Sequence, residues 1–119
     1  MRINRFIVGL VLLLWFTGCY REISSERTRI IEVASALAEQ EGFNPQEMNV
    51  LYDEGNTKWD EVRTLIEKSS GKNETAFSVL DGKNYQAVRF APRREMLGGV
   101  LWVFVDRDNL QVISFFGEE

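Results

Sequence analysis

The sequence predicts an α+β fold: an N-terminal amphipathic helix and a second short helix packed on an antiparallel sheet of four to five strands. Three observations carry this. Apolar residues recur at helical spacing as far as Ser70, and beyond about Thr75 the period changes to that of strands. The helical segments come first and the strand segments follow, which separates α+β from alternating α/β order. The last two connections, the Pro92-to-Gly99 loop and Arg107-Asp108-Asn109, are shorter than the dozen residues a parallel crossover needs, so the strands pair antiparallel.

Ser24-Ser25 can cap a helix that runs to about Glu41, with Gly42 as its stop. Ile30, Ala34, Leu37 and Ala38 form its apolar stripe, and Glu26, Arg29, Glu32 and Glu39 suit the wet side. After Phe43-Asn44-Pro45, Met48, Val50 and Tyr52 alternate with Asn49, Leu51 and Asp53, the pattern of a strand. A turn at Glu54-Gly55-Asn56 leads to Thr57, with Asp60 three residues on in the spacing of a capping box. Trp59, Val62, Leu65 and Ile66 give the second helical stripe, ending at Ser69-Ser70-Gly71. Thr75 to Leu80, Tyr85 to Phe90, Val100 to Asp106 and Leu110 to Phe116 then read as strands. One helix, or the helix pair, is expected across one face of the sheet.

The first residues belong to a different class. Met1-Arg2-Ile3-Asn4-Arg5 is positively charged, Phe6 to Phe16 is an uncharged apolar run, and Thr17-Gly18 are small. That is the order of an export signal. The apolar run spans eleven residues, against about twenty for a helix that crosses hydrocarbon. Its ending on Gly18-Cys19 resembles the lipobox of bacterial lipoproteins, with Phe16 standing where that family usually has Leu, Val or Ile. The resemblance implies that residues 1–18 are a signal peptide and that Cys19 carries a thioether-linked diacylglycerol. Residues 19–24 then form a lipidated tether and 25–119 a single domain. Two acyl chains are the number that gives stable anchoring. Tyr20 fills the position where aspartate retains such proteins at the inner membrane, which favours the outer membrane of a Gram-negative cell.

Removing residues 1–18 from the 119 leaves 101, and taking Arg2 and Arg5 from the net charge of −4 leaves −6. An acidic domain of this size is a poor general binder of nucleic acid or anionic headgroups. With Cys19 the only cysteine, the exported domain must hold together without a disulfide. The tail from Tyr85 to Glu119 resembles small cystatin-like domains, including PepSY-type and nuclear-transport-factor-like ones. A polar-aromatic strand ends in Pro92, the Gly98-Gly99 pair precedes Leu101-Trp102-Val103-Phe104-Val105-Asp106, and a turn leads to Val112-Ile113 and Gly117. The turn lacks the glycine of the PepSY pattern. The resemblance implies binding or inhibitory roles and carries over no catalytic residue.

The chain contains no histidine, which removes Ser-His-Asp and Cys-His catalysis and the usual zinc sites. Neither catalytic residues nor a metal or cofactor site is expected, the lipid on Cys19 apart. The densest acidic group is Asp53, Glu54, Asp60 and Glu61. Close carboxylates can share a proton or bind a hard cation, so a small carboxylate-dependent hydrolase is the alternative reading. The plainer one is a turn and a helix N-terminus that favours acids. Asn73-Glu74-Thr75 matches a glycosylation sequon by coincidence. Arg89, Arg93 and Arg94 form a basic patch able to grip a carboxylate or phosphate. On the Val100-to-Val105 strand both faces are apolar, so something must cover each. Either the second helix does so through Trp59, or Trp102, Phe104 and Phe115 form a partner surface rimmed by the three arginines. The leading expectation is a membrane-anchored, non-enzymatic protein- or peptide-binding or inhibitory module of the bacterial envelope. A structural lipoprotein of envelope assembly is the third reading.

Overall fold

The computed structural model describes residues 25–70, 77–93 and 99–118. Cys19, the tether, the 73–75 sequon and Arg94 lie outside the described residues.

Helix α1 occupies residues 25–40. Ile30, Ala34 and Ala38 are fully buried along it, spaced four apart as a helical stripe requires. The two alanines let the helix axis approach the sheet closely. Gly42 ends the helix at φ +92°, a left-handed conformation that glycine adopts without a Cβ clash. The Phe43 amide donates to the Ala38 carbonyl and the Gly42 amide to Glu39, which satisfies carbonyls the helix end leaves free. Phe43 then packs back on the same core as Ala38.

A short 3-10 turn, Pro45–Glu47, leads into β1 (Met48–Asp53). Helix α2 spans Thr57–Ser70. Strands β2 (Tyr85–Pro92), β3 (Val100–Asp106) and β4 (Val112–Glu118) follow. The four strands form one sheet in sequence order, each neighbour antiparallel. Tyr52, Val88, Val103 and Phe115 make one row across it, and Arg89, Trp102 and Phe116 lie in the next. The register slips between Phe104 and Val105, so Phe104 faces Ser114 while Val105 faces Val112.

The fold class is α+β as expected, with two corrections. Residues 77–80, expected to end a fifth strand, form a turn and a 3-10 helix, Ser78–Leu80. Phe77 and Leu80 are buried and three residues apart, while Val79 between them is 46% exposed. That is a helical spacing, not an alternating one. The helices also do not share a face. Ile30, Ala34 and Ala38 of α1 pack on Val88, Phe90, Leu101, Val103 and Val105. Trp59 of α2 packs on Ala87, Trp102 and Phe104, the residues of opposite parity. The sheet is the middle layer of three, and β3 is apolar on both faces because both are covered.

Candidate functional site

The sites singled out in the sequence fall in three places. The first is the aromatic core beneath α2. Trp102 is 1% exposed and Phe104 fully buried, so neither ring presents itself to a partner, and both are withdrawn as surface residues. The cause is Trp59, whose ring centroid lies 4.5 Å from Phe104, 5.4 Å from Trp102 and 5.0 Å from Phe77. Phe116 closes the cluster, edge-on to Phe77 at 5.3 Å. Offset and edge-to-face contacts of this kind add about 0.5–1.5 kcal/mol per pair beyond area burial. The Trp102 indole N–H donates to Glu118 Oε2 at 3.2 Å. The Trp59 indole N–H is buried and makes no hydrogen bond of good geometry, the Tyr85 hydroxyl being the polar group it influences.

Second is the acidic group at the head of α2. The buried Asp53 carboxylate accepts the Trp59 amide at 2.9 Å and the Lys58 amide at 3.3 Å. It occupies the role expected of a Thr57–Asp60 capping box. Among the described residues Asp53 is the side chain that reaches these amides, because β1 delivers it beneath the helix end. Next to it, Asn56 sits at φ +56°. Its side chain donates to the Tyr85 carbonyl at 2.9 Å and accepts the Ala87 amide at 2.8 Å, continuing the β1–β2 ladder past the end of β1. Gln86 donates to the Asp53 carbonyl at 2.7 Å. Neither Asn56 nor Gln86 was marked by the sequence pattern, since a side chain imitating a peptide group has no periodic signature. Glu54 is exposed and pairs with Arg27 at 3.4 Å, and Asp60 and Glu61 are exposed on the first turn of α2. A shallow open depression runs along α2 over Asp60, Glu61, Thr64 and Leu65. Among the described residues no three acidic, histidine or cysteine side chains are placed to hold a metal ion.

Third are the residues that stay at the surface. Phe115 on β4 is 46% exposed. Arg89 is half-buried with its guanidinium 5.9 Å from the Trp102 ring centre, so its face is backed by an aromatic and its edge is left toward solvent. Arg93 is exposed just beyond β2.

The opposite end of the sheet holds the start of α1. Glu26 pairs with Arg107 at 3.1 Å, and Arg27 lies 4.9 Å over the Tyr52 ring. Burial is the main cause that raises the Tyr52 hydroxyl above its ordinary 10.0; Arg107 and Arg27 pull it down, and Glu26 and Glu54 push it up. Tyr85 is raised likewise, by burial first and then by the charge of Asp60, against Arg63 and Trp59.

No helix among the described residues is long and apolar enough to cross a membrane. No protein-family model, no curated protein sequence and no solved structure matches the chain.

Proposed function

We propose that the chain is a lipid-anchored lipoprotein of the bacterial cell envelope whose domain is a non-enzymatic protein- or peptide-binding module. The observation that carries this is the charged, apolar and small-residue run that ends on Gly18-Cys19. In support, the Asp53 carboxylate, one of the acids of the hydrolase alternative, is spent on two backbone amides. What the domain offers a partner is its periphery, in two separate places: Phe115 on the α1 face of the sheet, and Arg89 on the α2 face with Arg93 just beyond the end of its strand. Tyr20 directly after Cys19 favours the outer membrane.

Metabolic labelling with a fatty-acid probe tests the anchor. The native chain takes up label and Cys19→Ala does not; a Cys19→Ala chain that still labels overturns the proposal. Membrane crosslinking followed by pull-down tests the module. A complex formed by the native chain and lost on Phe115→Arg or Arg93→Glu supports it, and hydrolytic turnover abolished by Asp60→Asn would replace it with an enzyme.

A further inference from the structure

Gly82 is the one glycine in the chain that follows an aspartate or an asparagine. It lies with Asp81 between the 3-10 helix Ser78–Leu80 and β2. Asp81 at φ −65°, ψ 131° and Gly82 at φ +74° are the middle pair of a type II turn, closed by the Lys83 amide donating to the Leu80 carbonyl at 3.1 Å. The positive φ calls for glycine, and a Cβ at Gly82 would meet nothing within 4 Å. The Asp81 side chain is 63% exposed. A carboxyl group thus stands beside a backbone amide that no side chain shields.

We infer that Asp81 is a site of covalent self-modification, its isomerisation to isoaspartate, and that the fold holds this reaction back. The Gly82 amide nitrogen attacks the carboxyl carbon of the Asp81 side chain in its acid form. The nitrogen–Cγ bond forms, the carbon–hydroxyl bond breaks, and the hydroxyl leaves as water with the amide proton. Water then opens the five-membered imide at one of its two carbonyls. Opening at the backbone carbonyl routes the main chain through Cβ and Cγ and frees the α-carboxylate; opening at Cγ restores aspartate. One water is lost and one is taken up, so no oxidant or reductant is needed.

Two features restrain the first step. Ring closure needs the Gly82 nitrogen on the side of the Cα–C bond that carries Cβ, which for an L residue falls at negative ψ. At ψ 131° the nitrogen is turned away, so the turn has to give way before the ring can close. Arg63 of α2 also donates to Asp81 Oδ1 at 3.0 Å, while Glu67 steadies the same guanidinium at 2.9 Å. That tie holds the side chain as an anion, and a carboxylate has no hydroxyl to lose. Conversion undoes the tie, because the main chain is one atom longer and the carboxylate has moved. The stretch that seats Phe77 and Leu80 against Trp59 then loses its link to α2.

Incubating the full chain at neutral pH, native and in urea, tests this. Isoaspartate is read by enzymatic methyl transfer and by electron-based fragmentation of the peptide carrying Asp81. Conversion should run severalfold faster in urea than in the native chain. Arg63→Gln should speed the native reaction severalfold while core amides stay protected from exchange, and Gly82→Ala should slow the reaction in urea. The inference is overturned if Asp81 converts in urea no faster than Asp53, Asp60, Asp106 or Asp108. It is equally overturned if native and urea rates agree, or if a folded Arg63→Gln chain converts at the native rate. Should Arg63→Gln lose its core protection, the native and urea rates of the unaltered chain decide alone.

Discussion

Trp59 and Trp102 touch each other in one core, yet their indole N–H groups have opposite fates. Replacement by phenylalanine removes similar volume from each. At Trp102 it also deletes a hydrogen bond to a carboxylate, while at Trp59 it deletes a buried donor that makes no hydrogen bond of good geometry. Lost bonds to charged groups cost about 1.5–3 kcal/mol, and an orphaned donor is itself a penalty of about 1–3 kcal/mol. Trp102→Phe should therefore destabilise by about 2.5 kcal/mol or more beyond Trp59→Phe, as measured by urea denaturation; equal costs would refute the assignment. The same measurement separates core from periphery. Phe104→Ser should cost upward of about 3 kcal/mol or unfold the domain, and Phe115→Ser should stay near about 0.5 kcal/mol. The sequence left two readings of the second apolar face of β3, cover by the second helix through Trp59 or a partner surface, and the structure has the first. Alternation along β3 marks two apolar faces, but only the position of Trp59 on a helix 43 residues upstream of Trp102 decides that the second one is covered.

The turn between β1 and α2 does the work of several elements at once. Asp53 takes two amides of α2, and Asn56 takes a carbonyl and an amide of β2. Asp53→Ala strips the helix of its cap and should cost about 1–2 kcal/mol, visible as a lower thermal midpoint; a neutral substitution would mean that solvent replaces the carboxylate. High pH probes the opposite side of this region. Tyr52 and Tyr85 both keep their protons beyond the ordinary 10.0 in the folded chain. The unfolded chain releases them first, so stability is unaffected below about pH 10 and falls as pH climbs through the unfolded value. Phenolate absorbance should follow this, and Tyr52→Phe or Tyr85→Phe should each flatten the alkaline loss. The long elements were legible. Ile30, Ala34 and Ala38 fix α1, and Gly42 fixes its end. The 3-10 turn at Ser78–Leu80 was not, because a four-residue stretch with three apolar side chains fits either period until Trp59 supplies the surface that Phe77 and Leu80 must meet.

For the whole molecule, the two ion pairs at the start of α1 matter for placement more than for energy. Arg27–Glu54 and Arg107–Glu26 are exposed, and pairs of that kind contribute little to stability. What they do is hold the beginning of the helix at one end of the sheet. Glu26→Ala with Arg27→Ala should leave the melting temperature nearly unchanged but raise proteolytic cleavage within the first turns of α1. A large fall in melting temperature would show that the pairs carry stability after all. The candidate site divides in the same way. The proposed anchor is read from a local string of residues and rests on the sequence alone, whereas the order of the strands was not legible there.

The stacked core has an optical consequence. The chain has three tryptophans, Trp15, Trp59 and Trp102. Processing before Cys19, as proposed, discards the first, and the emission of the remaining protein then comes wholly from two rings 5.4 Å apart and shielded from water. At that separation they exchange excitation and share one rigid, asymmetric surrounding. The precursor should thus show the emission of a third tryptophan that is lost on maturation, and the mature domain a blue-shifted emission with strong near-ultraviolet circular dichroism. One spectrum would report both the removal of the leader and the closing of α2 over the sheet.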